Sequence, residues 1–165
     1  MMKKLCIIFA LIIPWFAILK SQDNHCLDSI MYERAYNYII ADSLWSGSPI
    51  NVSKKMIGSC YFCFFNELKG NEDIKSHYMR LIDLDKKYAV RDSVYFYINN
   101  KQFIENTNSK FTLFFSRIIN NSELFAEVYM NEFVNTQMGE IVYYYIKFDL
   151  DGSICFTLKK KMYGL

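Results

Sequence analysis

"IVYYYIKFDLDGSICFTLKKKMY", residues Ile141 to Tyr163, decides the architecture. Two β-rich runs, 141–149 and 153–163, flank Leu150-Asp151-Gly152. Asp-Gly between alternating segments is a strong hairpin signal. In the first run Val142, Tyr144, Ile146 and Phe148 alternate with Tyr143, Tyr145 and Lys147. Successive side chains of a strand point to opposite faces, so these are two faces of one strand.

The pattern repeats upstream. "NNSE", Asn120 to Glu123, separates Phe111–Ile119 from Leu124–Asn131. Leu124, Ala126, Val128 and Met130 oppose Phe125, Glu127, Tyr129 and Asn131. In "SVYFYI", Ser93 to Ile98, Val94, Phe96 and Ile98 oppose Tyr95 and Tyr97. Short and moderate connections between the last four strands predict an antiparallel C-terminal meander.

The first half of the chain reads differently. Asp28 can cap a helix running to about Asp42, with Leu27, Ile30, Met31, Ala35, Tyr38 and Ile39 on one stripe. "WSGSP", Trp45 to Pro49, ends it. Residues 71–83 predict a second helix with an acidic start and a stripe of Ile74, Tyr78, Leu81 and Ile82. Helices followed by an antiparallel sheet define an α+β fold: an N-terminal helix, plus one short helix, packed on a curved antiparallel sheet. The element order matches cystatin-like and nuclear-transport-factor-like folds, an analogy of shape without functional content.

The start of the chain carries an address. Lys3 and Lys4 precede "LCIIFALIIPWFAIL", Leu5 to Leu19, and Lys20 with a polar stretch follows. A charged start and a short apolar core describe a secretory signal peptide. Fifteen apolar residues fall short of the ~20 that span a bilayer as a helix. The expected layout is a signal peptide over 1–21 and one α+β domain over 22–165. An uncleaved N-terminal anchor is the alternative, and a membrane partner follows only from it. Lys3, Lys4 and Lys20 leave with the leader, so 19 basic against 17 acidic residues become 16 against 17. No basic stripe remains to contact phosphates, which excludes nucleic acid as the expected partner.

"GSCYFCFF", Gly58 to Phe65, holds a Cys-x-x-Cys within an apolar run, Ile57 to Phe65, that reads as a buried strand. On a strand, Cys60 and Cys63 face opposite sides with Cα atoms ~10 Å apart. A disulfide tolerates up to ~6.8 Å. A redox pair would instead sit at a helix start. Zinc would need His25 and Cys26 as further ligands, without the spacing that marks such sites. Cys26, Cys60, Cys63 and Cys155 permit three full disulfide pairings in an oxidising compartment; in two of them Cys155 meets one strand cysteine and Cys26 the other. Free buried cysteines packing as small hydrophobes are the equal alternative.

His77 lies between Ile74 and Leu81 on the second helix and reads as a structural histidine. Asp149-Leu150-Asp151-Gly152 lacks the remaining ligands of a calcium loop and reads as a turn. No nucleophile elbow, metalloprotease helix or phosphate loop is present, and no cofactor is expected. Thr157 to Tyr163, "TLKKKMY", places Lys160 opposite Lys159 and Lys161, as edge-strand lysines that deter aggregation.

The strand alternation leaves one aliphatic face, to be buried against a helix. The other face carries Tyr95, Tyr97, Tyr129, Tyr143 and Tyr145 with Glu127 and Lys147. Tyrosine joins a large flat apolar surface to a hydroxyl, which suits protein or glycan contact. Tyrosine also favours strands for packing reasons alone. Three readings follow. A non-catalytic binding module predicts a flat polar-aromatic surface. An envelope enzyme using Glu127, His77 or tyrosine hydroxyls predicts a partly buried acid with a shifted pKa. A thiol redox or metal protein predicts Cys60 and Cys63 within bonding reach at a helix start.

"FFSRIINNSELFAEVY", Phe114 to Tyr129, and "YYYIKFDLDGSICFTLKKKMY", Tyr143 to Tyr163, resemble small exported bacterial proteins of unknown function. The resemblance implies an envelope or secreted setting and no particular activity.

Overall fold

A computed structural model describes residues 27–45, 48–53, 55–88, 109–130 and 140–163. The expected leader, Cys26 and the strand Ser93–Ile98 with Tyr95 and Tyr97 lie outside the described residues. The fold is α+β. Helix α1 covers 27–40 and a short 3-10 turn follows at Ser43–Trp45. Strand β1 is Ile50–Val52, a second 3-10 turn is Tyr61–Phe64, and helix α2 is Ile74–Tyr88. Four strands close the chain: β2 Phe111–Phe115, β3 Glu123–Met130, β4 Glu140–Phe148 and β5 Ile154–Tyr163. They form one sheet in sequence order, β1-β2-β3-β4-β5.

The meander is antiparallel as the turn chemistry requires. Asn120 and Asn121 both have positive φ, 50° and 56°. That is the type I′ geometry whose twist matches the strands it joins. Gly152 has φ +74° and closes the β4–β5 hairpin, and a Cβ there would meet Leu27 of α1 at 3.1 Å. Arg34 donates to the Asp151 carbonyl at 3.1 Å, so this turn also docks on α1. One pairing departs from expectation. The short strand β1 runs parallel to β2, with Ile50 opposite Phe111 and Val52 opposite Leu113.

The two faces of the sheet bury into two cores. Leu113, Phe115, Leu124, Ala126, Val128, Val142, Tyr144, Ile146 and Phe148 pack against Met31, Tyr32, Ala35 and Ile39 of α1. This is the expected aliphatic face. Tyr144 is fully buried there. Its hydroxyl accepts from the Trp45 indole at 2.8 Å and donates to Asp42 at 2.9 Å. Lys159 holds the same carboxylate at 2.8 Å. Burial would push the Asp42 carboxyl up, but the bonds from Lys159, the Leu44 amide and Tyr144 outweigh it and hold it below its usual range.

The opposite face does not lie open. Phe125 and Tyr145 are buried under Tyr61, Cys63 and Phe64 of the 3-10 turn and Leu81 of α2. The run 57–65 is therefore not a strand but the apolar inner surface of a second layer. Hydrogen bonds from Tyr61 to Glu123 at 2.8 Å and from Tyr88 to Asn120 at 2.7 Å pin that layer to the sheet. Helix α2 starts at Ile74, with Asp73 accepting from the Ser76 amide at 3.0 Å, rather than at residue 71. Its inward stripe also differs. His77 and Leu81 are buried, whereas Ile74 and Tyr78 are exposed. At the other helix, 27 is already helical, so Asp28 lies in the first described turn rather than before it.

The lysine run ties both layers to the edge strand. Lys159 reaches Asp42 on the α1 side, and Lys160 reaches Glu67 at 3.4 Å on the other. Lys161 pairs with Glu140. The alternation read from the sequence is present, with each lysine engaged by a carboxylate. Exposed pairs of this kind give about 0–1 kcal/mol each, so the hydrophobic layers carry the stability. Leu81→Ala should cost ~2–5 kcal/mol by removing a fully buried side chain. Urea unfolding would show a lower midpoint at an unchanged slope; an unchanged midpoint would mean the second layer does not pack as described.

Candidate functional site

The second face of the sheet can be read in cross-strand rows. Glu123, Lys147 and Phe156 make one row, and Phe125, Tyr145 and Leu158 the next. Then come Phe114, Glu127, Tyr143 and Lys160, and finally Thr112, Tyr129, Ile141 and Met162. The 3-10 turn and α2 cover the Phe125–Tyr145 row. Phe114 and Tyr129 belong to neither hydrophobic core, and Tyr143 packs at the margin of the second.

Glu127 sits among these rings. It is 9 % exposed, low for a carboxylate. The Tyr129 hydroxyl donates to it at 2.6 Å. Desolvation pushes the Glu127 carboxyl above its ordinary range, and the Tyr129 bond only partly opposes this. Burial and the neighbouring carboxylate push both Tyr129 and Tyr143 up as well. The Phe114 ring meets Tyr129 edge-on at 5.4 Å. One strand beyond Thr112, the Asn51 side-chain carbonyl is buried without a hydrogen-bond partner. Sequence reading gave Asn51 no part in a site, because its role depends on the unanticipated strand β1. A buried unpaired acceptor is costly and marks a place that a donor would satisfy. This end of the face therefore joins aromatic rings to a largely buried carboxyl.

The described residues among those singled out from the sequence do not share one exposed surface. Glu127, Tyr129 and Tyr143 converge. Tyr145 is a core residue, 4 % exposed, and cannot present a contact surface. Lys147 is exposed on the same face as Tyr143 but four residues along the strand, ~13 Å away. Tyr95 and Tyr97 lie outside the described residues. The face is thus not one flat polar-aromatic surface; a structural layer divides it.

His77 is a structural residue, as its spacing suggested. It is fully buried, and Nε2 lies 2.7 Å from the Phe65 carbonyl, a geometry in which the ring nitrogen donates. Nδ1 faces Glu72 at 3.2 Å and Arg80 at 3.0 Å. It anchors α2 to the 3-10 turn and does not approach Glu127's row.

The cysteine expectation fails on geometry. Cys60 and Cys63 are disulfide-bonded, with Cα atoms 5.4 Å apart. Cys60 precedes the 3-10 turn, and the Cys63 amide donates to the Cys60 carbonyl at 3.1 Å. The turn shortens the ~10 Å spacing of a strand to bonding reach. Cys155 meets neither of them; it is an exposed free thiol on β5. His25 and Cys26, the other members of the zinc set, lie outside the described residues.

No family model matches the chain, and no curated protein and no solved structure shows significant similarity to it.

The buried acid gives a pH signature. A carboxyl whose pKa is raised on folding makes the native state bind more protons, so its ionisation destabilises. Stability should fall as pH climbs from the unfolded value of ~4.3 through the raised native value. Glu127→Gln removes that loss. The variant should match the parent below pH ~4 and exceed it at neutral pH in denaturant titrations. A constant offset at all pH values would show that Glu127 is not desolvated.

Proposed function

We propose that this chain is an exported, non-catalytic binding module that holds a glycan at the Glu127 end of the second sheet face. The leader-like start, a charged and apolar stretch over residues 1–21, supports export. The observation that carries the binding reading is a desolvated carboxylate set among Phe114, Tyr129 and Tyr143. With Tyr129 already donating to Glu127, what remains for a ligand there is mainly the other lone pairs of Glu127. Sugar hydroxyls donate to such acceptors, and the apolar faces of sugar rings lie against aromatic side chains. A ligand that supplies donors would also compensate the cost of the desolvated Glu127 carboxyl.

The raised acid also fits a second reading, an enzyme using Glu127 as a general acid. Released product from a bound glycan would establish that reading, and unchanged ligand the first.

Tyr129→Ala and Tyr143→Ala should each weaken glycan binding about tenfold or more, equivalent to ~1.4 kcal/mol, with circular dichroism unchanged. Tyr145→Ala should instead unfold the protein at lower denaturant, because that ring is core. Calorimetric titration with soluble envelope polysaccharides provides the measurement. If no polysaccharide binds, or both variants bind as the parent does, the glycan reading fails.

A further inference from the structure

The Cys60–Cys63 bond has features that a simple staple does not need. The stabilisation a disulfide gives by restricting the unfolded chain grows with the loop it closes. This bond spans a sequence separation of only 3, among the least effective of staples. The layer it sits in is independently held by Tyr61–Glu123, Tyr88–Asn120 and the His77–Phe65 bond.

The two sulfurs also differ in surroundings. Cys63 is buried in the second core, while Cys60 is half-buried at its edge. Thiol–disulfide exchange needs in-line access to one sulfur, and here Cys60 is the more accessible residue. Between them Phe62 is 38 % exposed, stacked on Phe65 and edge-on to Tyr78, itself 49 % exposed. These exposed aromatic side chains leave apolar surface beside the disulfide for a partner protein to cover. Asp85 of α2 accepts from the hydroxyl of Ser59, the neighbour of Cys60, at 3.3 Å. That hydrogen bond fixes the segment carrying Cys60.

We propose that Cys60–Cys63 is an exchangeable disulfide that oxidises a dithiol on a partner protein. A partner thiolate attacks the Cys60 sulfur, forming a mixed disulfide and expelling Cys63 as thiolate. The partner's second thiolate then attacks its own sulfur in the mixed disulfide and expels Cys60. Two electrons pass from the partner to the loop. The partner leaves with a disulfide, and its two thiol protons end on Cys60 and Cys63. This activity is independent of the glycan reading.

The test uses the full chain carrying Cys155→Ser, with dithiothreitol as the dithiol probe, alkylation, and peptide mass mapping. Without denaturant, Cys60 and Cys63 should both become alkylated within minutes while the far-ultraviolet circular dichroism persists. In single variants, Cys63→Ser should form an adduct with oxidised glutathione at Cys60 at least tenfold faster than Cys60→Ser does at Cys63. A bond that opens only in denaturant, or whose opening unfolds the domain, would make it a structural staple and overturn the proposal. Equal adduct rates in the two single variants would likewise overturn it. Should either variant fail to fold, the rate of opening of the parent bond with and without denaturant still decides.

Discussion

Strands β3 and β4 have large side chains on both faces, and the rest of the molecule follows from the need to cover both. Ala126 and Tyr144 face one side while Phe125 and Tyr145, adjacent along the same strands, face the other, and all four are buried. An α1 helix alone can cover only one of these sides. The sheet therefore needs a second apolar layer, and the segment 57–88 supplies it with Tyr61, Phe64 and Leu81. Large buried aromatic side chains give ~1.5–3 kcal/mol each on burial. The central pair is worth more than any surface interaction available to this chain, so two-sided coverage dominates the architecture.

Polar groups then set how the layers sit. At the α1 layer, Tyr144 would bury an unpaired hydroxyl but for Trp45 and Asp42. At the other layer, Tyr61 and Tyr88 extend their hydroxyls to Glu123 and Asn120 near the β2–β3 turn. In each case an aromatic ring gives packing while its polar tip fixes position, so a layer cannot slide without leaving a donor unpaired. The successive lysines 159 and 160 repeat the device at the open edge, one to each layer.

Strands β2 to β5 and both hairpins were legible because short turns and period-two alternation are local signals. Asn120-Asn121 and Asp151-Gly152 mark backbone shapes that few other residues adopt. The second layer was hidden for a physical reason. "YFCFF" is short, apolar and without helical period, and periodicity alone cannot separate a buried strand from a buried turn. Phe125 and Tyr145 did carry a usable signal. A phenylalanine directly opposite a tyrosine on a supposed solvent face asks for a cover, and the apolar run 57–65, read as a strand, was there to supply it. Treating that face as open misplaced Tyr145 and made a bond between Cys60 and Cys63 look impossible. Glu127 was legible as the lone acid among tyrosines, but its burial was not, because it depends on the cross-strand neighbours Phe114 and Tyr143. Asn51 was beyond reach, since a three-residue strand leaves no pattern.

Among the described residues the 3-10 turn and α2 cover only part of the second face, and the unfavourable groups collect beyond them. Under the 3-10 turn and α2, buried polar atoms have partners: His77 meets Phe65, and Tyr61 meets Glu123. Past the Tyr145 row, Glu127 is desolvated and accepts, among the described residues, from Tyr129, and Asn51 buries an unpaired acceptor. Each raises the free energy of the native state. Sequences shaped only for stability replace such groups, because a glutamine or an apolar side chain of similar volume would relieve the cost. Two of them on one sheet face, beside rings that neither core takes in, form a local deficit of hydrogen-bond donors. The two cores offset that deficit, so the fold tolerates on this face polar groups that packing alone would not select.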